Sequence, residues 1–206
     1  MAQANLVELE QAFSRSAPTH AIPKQTVITW AASDDVEVLG ALYDAMCNPE
    51  LRRRVSPPLS DDEMDAFIER YLSKCIVENP EYPSDDSERY AMNRFDAGNA
   101  LLFTFVKMWR DSSVVRSRLA HLKQCIERLY REGDDEVKRT ITNVFLEHAC
   151  ENAEIAAFFA DWDNDPIFKP AYADAMCWVS TVNSGTIEGV LNIYGLNDSV
   201  RRPGTH

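Results

Sequence analysis

His148 and Glu151 are the first residues of this chain whose types and spacing suit chemistry. They are three residues apart, about one helical turn, so both side chains can reach one metal ion. A carboxylate-bridged two-metal bundle needs Glu-x-x-His on two helices and two further glutamates, whereas this chain has one pair in reversed order. His148 also continues an apolar stripe that begins at Val137, which favours a histidine in the core.

Three carboxylates, Asp61, Asp65 and Glu69, follow each other at intervals of four residues and therefore share one face of a helix. Paired carboxylates perform acid–base chemistry only when their surroundings separate their pKa values. These three lie opposite the apolar stripe that contains Phe67 and Tyr71. The pattern therefore predicts a solvated helix face.

Sequence motifs for common enzyme classes are absent from the chain. There is no glycine-rich phosphate loop, no HExxH, no GxSxG and no CxxC pair. The five cysteines are widely spaced, and most have apolar neighbours, which predicts buried small side chains in a reducing cytosol. No cofactor, metal or catalytic residue is predicted. An enzyme on a helical bundle, with a nonstandard carboxylate site at His148 and Glu151, is the least favoured of three hypotheses.

Aromatic residues mixed with acids at 158–165 form the strongest candidate for a docking site. Trp162 stands among Asp161, Asp163 and Asp165. Tryptophan at helical spacing is more often a core residue, but one surrounded by acids suits a basic protein.

Two further acidic runs, at 85–86 and 134–136, fall in the first turns of predicted helices, where the helix dipole alone explains them. The candidate partner-binding residues are Asp85, Asp86, Asp134, Asp135, Glu136, Asp161, Trp162, Asp163 and Asp165.

The net charge is −12, from 33 acids and 21 bases, and it is unevenly distributed. Residues 60–100 have 11 acids and 4 bases, and residues 134–174 have 10 and 3, whereas residues 101–133 have 3 acids and 7 bases. This balance argues against direct binding to nucleic acid or an anionic membrane, because both require a basic face. It permits a basic protein partner, or solubility alone.

Apolar residues at spacings of three and four predict an all-α fold of about eight helices, either an irregular bundle or a short HEAT-like stack. We expect one domain over 1–206, with an N-terminal arm and loop at 1–33, extended at 17–29, and a disordered tail at 197–206. The predicted helices cover 5–13, 36–46, 60–78, 85–109, 113–131, 134–150, 154–162, 165–179 and 184–194.

The longest predicted helix, 85–109, has a continuous apolar stripe that includes Phe95, Gly98 and Phe105. This stripe predicts a central helix buried on several sides. Arg94 falls beside it. We expect Arg94 either to pair with a carboxylate, such as Asp96 or an acid on another helix, or to reach the surface.

The stretch from Leu119 to Lys138, continued by Val144 to His148, has an apolar helix, then Gly-Asp-Asp-Glu-Val-Lys, then a helix that ends in Leu-Glu-His. Over residues 119–162 this pattern resembles HEAT-like helical immunity proteins of bacterial polymorphic-toxin systems. The resemblance implies a small acidic helical inhibitor of a protein toxin encoded beside it.

Binding is therefore the favoured function. We expect a cytoplasmic protein that binds and neutralises a cognate toxin, a basic protein domain. We expect no membrane partner, because no apolar run approaches the roughly 20 residues that span a bilayer. The alternative is a helical adaptor or regulatory domain that binds a protein without inhibiting it. The oligomeric state is left open by the sequence.

Overall fold

The computed structural model describes residues 6–14, 21–80 and 89–181, which are mostly helical with only two very short strands and confirm the predicted all-α fold. The elements are α1 (Leu6–Phe13), β1 (Ile22–Pro23), α2 (Lys24–Ala31), α3 (Val36–Cys47), α4 (Pro49–Arg52), β2 (Val55–Ser56), α5 (Asp61–Glu78), α6 (Arg94–Arg110), α7 (Arg116–Glu132), α8 (Asp135–Thr140), a π-helical segment (Ile141–Leu146), α9 (Glu147–Ala149), α10 (Ala153–Phe158), a 3₁₀ segment (Ala160–Asn164) and α11 (Lys169–Thr181). The two short strands pair in parallel.

The helices pack as an irregular bundle around one continuous apolar core that extends from Leu9 to Ala175. Helices α5 and α6 form the central pair, and the π-helical segment packs on α6. Phe105 of α6 is fully buried, with its ring centroid 5.5 Å from that of Phe145 and 5.6 Å from that of Phe159. The core thus joins the central helices to the C-terminal half of the described chain.

Helix α5 begins and ends where its sequence predicts. Ser60 and Glu63 form a reciprocal capping box, in which the Glu63 amide donates to Ser60 Oγ over 3.2 Å and the Ser60 amide donates to Glu63 Oε2 over 2.7 Å. At the other end Asn79 adopts a left-handed conformation, with φ of 47°, before Pro80. This tight stop places the end of α5 beside the start of α6.

Helix α6 begins at Arg94, so the prediction of a helix from residue 85 is wrong for the described residues 89–93. Asn93 caps the helix, because its Oδ1 accepts a hydrogen bond from the Asp96 amide at 2.8 Å. Asn93 has extended backbone angles, which end the helical pattern on its N-terminal side.

Residues 90–92 are held in a non-helical conformation by side chains from α3 and α5. Glu37 Oε2 accepts hydrogen bonds from the Tyr90 and Ala91 amides, at 2.8 and 3.2 Å. The Tyr71 hydroxyl donates a hydrogen bond to the Tyr90 carbonyl oxygen, and the same hydroxyl oxygen accepts one from the Met92 amide. Gly40 permits this approach, since a Cβ there would lie 2.3 Å from the Tyr90 oxygen. These long-range bonds replace the helical ones.

Helix α2 corrects the predicted extended connection at 17–29. Lys24 to Ala31 are helical because Pro23 precedes the first turn with a suitable φ of −59°, and because Val27 and Trp30 are buried on one face. The sequence does not predict this helix, because its apolar pattern is short and the prolines and polar residues before it favour an extended chain.

The predicted helix at 134–150 is present, but its six residues Ile141–Leu146 form a π-helix instead of an α-helix. This segment lies against α6 at Gly98, where an added Cβ would be 2.9 Å from Thr140 Cγ2 and 3.1 Å from Val144 Cγ1. The missing side chain of Gly98 therefore permits close packing of the two helices. The expected antiparallel partner of this helix, α7, precedes it across a two-residue link.

The predicted helix at 184–194 and the predicted tail at 197–206 lie outside the described residues. None of the described helices is both long and apolar enough to cross a membrane.

Candidate functional site

Trp162, the predicted docking aromatic, is a core residue. Only 1% of it is exposed, and its ring stacks on Phe168 with a centroid separation of 4.6 Å. The indole Nε1 donates a hydrogen bond to Glu127 Oε1 on α7 at 3.0 Å. Trp162 therefore occupies the core position that its helical spacing favours, and its enclosed ring offers no exposed surface to a partner.

The three acids around Trp162 each lie beside a basic side chain of the same chain. Lys123 makes the closest of these pairs. Its Nζ bonds to Asp161 Oδ1 and to the Phe158 carbonyl oxygen, and lies over the rings of Phe158 and Phe159. The other two pairs are Asp163 with Lys169 at 3.4 Å and Asp165 with Arg131 at 3.8 Å.

The acids of α5 are also paired with α7, so the predicted solvated face is wrong for two of its three members. Asp65 accepts two hydrogen bonds from Arg118, at 2.6 and 2.8 Å. Glu69 is largely buried and lies 2.7 Å from Arg128 and 3.0 Å from His121. The third member, Asp61, is mostly exposed, although it also reaches Arg118.

The basic stretch at 101–133 thus has a structural role. Helix α7, which contains most of its bases, lies between the acidic face of α5 and the acidic tract at 161–165. Part of the charge asymmetry of the sequence is therefore balanced by ion pairs within the chain, several of which are exposed.

The acids at the start of α8 are placed differently, at the surface. Asp134 is the N-cap, and the hydrogen bond from the Val137 amide to its Oδ1, at 2.8 Å, lowers the pKa of this carboxyl below its usual value. Asp135 and Glu136 are exposed in the first turn, and Glu136 lies 2.8 Å from Arg139. The predicted first-turn placement is confirmed for these two acids.

An open groove of about 550 Å³ lies where the end of α5, the start of α6 and the start of α8 meet. We call it the α5–α6–α8 groove. Its lining consists of Asn79, Pro80, Asn93, Arg94, Phe95, Glu136 and Thr140. Glu136 belongs to the acidic run at 134–136, which is one of the runs predicted to bind a partner.

Phe95 in this groove is 60% exposed, which corrects its prediction as part of a buried stripe. Val77, at the end of α5, is 53% exposed. Phe95 lies in the first turn of α6, before the helix packs into the core at Ala97 and Gly98. Sequence periodicity missed this site, because a stripe at helical spacing does not reveal where the covering elements end.

Arg94 connects the start of α6 to the backbone at the end of α5. Its Nε donates to the Ile76 carbonyl oxygen at 2.6 Å, and its other nitrogen donates to the Val77 carbonyl oxygen at 3.0 Å. The expected carboxylate partner is thus replaced by the unsatisfied carbonyls at the end of α5. The guanidinium charge also helps to lower the pKa of Asp134 across the groove.

The predicted partner-binding acids Asp85 and Asp86 lie outside the described residues. In the sequence, they belong to the connection 81–88, which begins immediately after Pro80 and contains four acids and no base.

The His148 and Glu151 side chains are neighbours, with Nδ1 and Oε1 3.0 Å apart. The His148 ring also lies nearly perpendicular to the Trp178 ring, at a centroid separation of 5.8 Å. Within 6–14, 21–80 and 89–181, no three His, Cys, Asp or Glu side chains are grouped to hold a metal ion. Two ligands on one turn are fewer than the three or four protein ligands of zinc sites.

Three of the five cysteines, Cys75, Cys125 and Cys150, are buried, as predicted, while Cys47 and Cys177 are exposed. Burial raises the pKa of Cys75 to about 11 and those of Cys125 and Cys150 to about 12. These thiols are therefore protonated at neutral pH, which suits packing and not nucleophilic attack.

No protein-family model, curated protein or solved structure matches this chain. The α5–α6–α8 groove and its acidic surroundings therefore provide the main physical basis for a functional proposal.

Proposed function

We propose that this chain is an acidic helical protein that binds a cognate basic protein toxin in the cytoplasm and neutralises it. The observation that carries the proposal is the exposure of Phe95 in an open groove beside the acids of α8. A large exposed aromatic in a concave surface is a common anchor of protein interfaces. The resemblance of residues 119–162 to immunity proteins supports neutralisation as the result of binding.

The proposed mechanism has two stages. The net charge of −12 attracts a basic partner and raises the rate of encounter, an effect that added salt weakens. Apolar contact with Phe95 then slows dissociation, because the aromatic ring leaves water when the partner covers it. Neutralisation follows when the bound protein blocks the toxin's access to its target.

The test is co-expression with the protein encoded by the adjacent reading frame. We expect that protein to arrest growth when expressed alone, and this chain to restore growth and to co-purify with it. Growth arrest that persists despite normal levels of this chain, together with no complex on size exclusion, would contradict the proposal.

An adaptor that binds without inhibition is the second candidate, and the concave shape of the groove favours it. A groove can receive a protruding side chain of a partner without covering that partner's active site. A complex in which the partner retains full activity, or a partner that is not toxic, would support the adaptor. A complex in which the partner's activity is lost would support neutralisation.

A further inference from the structure

Most lysines and arginines of the described chain contact a carboxylate or a backbone carbonyl of the same chain. Within 6–14, 21–80 and 89–181, the bases that make no such contact are Arg52, Arg53, Lys107, Arg110, Arg116 and Lys138. Unpaired bases that lie close together are unexpected in a chain whose net charge is −12.

Three of these bases lie at one end of the bundle. Lys107 and Arg110 are in the last turn of α6, and Arg116 is the first residue of α7, after the link 111–115. The Arg116 guanidinium lies over the half-buried ring of Trp109, with Cζ 4.5 Å from the ring centroid. All three bases are exposed. We call this surface, which also includes the exposed Val115, the α6–α7 basic corner.

Arg52 extends this corner. Burial raises the pKa of the Cys47 thiol at the end of α3, and the charges of Lys107 and Arg52 oppose this rise. Both cations therefore lie near the same thiol, and Arg52 is exposed at the end of α4.

Helix stability explains only part of this arrangement. Bases in the last turn of α6 interact favourably with its carbonyl end, but a base at the first position of α7 is unfavourable to the helix dipole. Asp111, the acid of the link, accepts hydrogen bonds from the Ser113 amide and hydroxyl, at 2.9 and 2.6 Å. These bonds lower the pKa of Asp111, and Lys107 makes a smaller contribution. Asp111 thus forms no direct ion pair with the bases of the corner.

We propose that the α6–α7 basic corner binds an acidic segment of a second protein partner, in which an apolar side chain lies between glutamates or aspartates. The acids of the partner pair with Lys107, Arg110 and Arg116, and its apolar side chain covers Val115, which is 59% exposed. The corner lies at the opposite end of α6 from the α5–α6–α8 groove, about 25 Å away at the rise of an α-helix. The inference therefore goes beyond the proposed toxin binding.

A protein segment suits the corner better than nucleic acid does. Proteins that bind nucleic acid without sequence preference neutralise several phosphates along a strand. A strand that extended beyond this corner would be repelled by a chain with 33 acids and 21 bases. A short acidic segment of a protein brings its charge only to the corner.

The probe for this proposal is a short peptide with one leucine between two pairs of glutamates. It is titrated into the full-length ¹⁵N-labelled chain, and amide shifts are followed by NMR. We expect saturable shifts at residues 107–116, with a weak Kd on the order of 1 mM, because one side chain and a few charges bury little area. Replacing the glutamates with lysines should abolish saturation, and added salt should weaken binding.

Variants with matched charge changes test the residues. Lys107→Gln combined with Arg110→Gln should weaken peptide binding about fivefold, and Arg116→Gln alone about twofold. Lys138→Gln should change it by less than about 1.5-fold. Lys138 is a fair control, because it also lacks a carboxylate partner but lies on α8. Circular dichroism checks that each variant is folded.

Two results would overturn the inference. One is a set of shifts that never saturates, or peptide binding that is as strong in the Lys107→Gln and Arg110→Gln double variant as in the Lys138→Gln control. The other is a single-stranded oligonucleotide that binds residues 107–116 more tightly than the peptide, because it would assign the corner to nucleic acid. Saturable peptide binding that the double variant weakens would support the corner, whether or not the chain neutralises a toxin.

Discussion

The tract around Trp162 and the groove beside Phe95 both combine an aromatic ring with acids, yet the fold treats them in opposite ways. Trp162 is enclosed and its neighbouring acids face Lys123, Lys169 and Arg131. Phe95 is exposed. The difference lies in the packing of the rings and not in the charges, because Glu136 beside Phe95 is also paired, with Arg139. Aromatic and acidic residues in a sequence therefore predict an interface only once it is known whether the ring is covered by its own fold.

The largest contrast is expected in stability. Trp162→Ala should lower the free energy of unfolding by about 3–5 kcal/mol, because it leaves a cavity among packed rings and removes the partner of Glu127. Phe95→Ala should change it by less than about 0.5 kcal/mol, since most of that ring is already in water. Urea unfolding followed by circular dichroism measures both. Similar losses for the two variants would contradict the assigned burial.

The next largest loss of stability is expected at Gly98, where α6 packs against Thr140 and Val144. Gly98→Ala should cost about 1–3 kcal/mol, because the added Cβ would lie 2.9 Å from Thr140 Cγ2. Thr140→Ser removes that methyl and keeps the hydroxyl that donates to the Glu136 carbonyl oxygen. The double variant should therefore recover part of the loss in the same urea assay. Equal stability of the single and double variants would exclude this contact as the cause.

Replacing the acids Asp65 and Glu136 should lower the free energy of unfolding by smaller and unequal amounts. Asp65→Asn should cost about 1–2 kcal/mol, because Asp65 accepts two short bonds from Arg118 and its side chain is only 24% exposed. Glu136→Gln should cost less than about 0.5 kcal/mol, since its ion pair with Arg139 is mostly in water. Adding Arg118→Gln to the first variant should cost less than the sum of the single changes. Additive losses would contradict direct pairing.

The smallest effect concerns pH. Because its pKa is lowered in the folded state, Asp134 stabilises the fold at a pH above its unfolded value of about 3.9, and this contribution is lost as the pH falls through the folded value. Asp134→Asn keeps a capping oxygen without the charge. The stability difference between wild type and variant should therefore shrink below about pH 4. An NMR titration that gave an unshifted carboxyl pKa would contradict this account.

Local signals in the sequence predicted the elements that depend on neighbouring residues. Helix α5 is the clearest example, because Ser60, Glu63 and Asn79 set its ends through bonds within a few residues. The all-α class and the helix pair across Gly133 followed from the same kind of pattern. The first-turn position of Asp135 and Glu136 in α8 was predictable in the same way.

Long-range contacts explain what the sequence did not predict. The start of α6 depends on Glu37, which binds amides more than fifty residues away. Likewise, the pairing of Asp65 and Glu69 required knowing that α7 packs beside α5. The exposure of Phe95 depends on where neighbouring helices end, and helical periodicity contains no such information.

The π-helical segment at Ile141–Leu146 also changes the rotation, about the helix axis, between the residues before it and the residues after it. Each residue of an α-helix advances the side chain by about 100° around the axis, and a π-helix advances it by less. This slower rotation changes the angular phase of α8 relative to α9, while Val137 and Ala149 both remain buried. Glu136, which lines the groove, precedes the segment, whereas Ala149 follows it. The rotation between these two positions therefore differs from that in an uninterrupted α-helix.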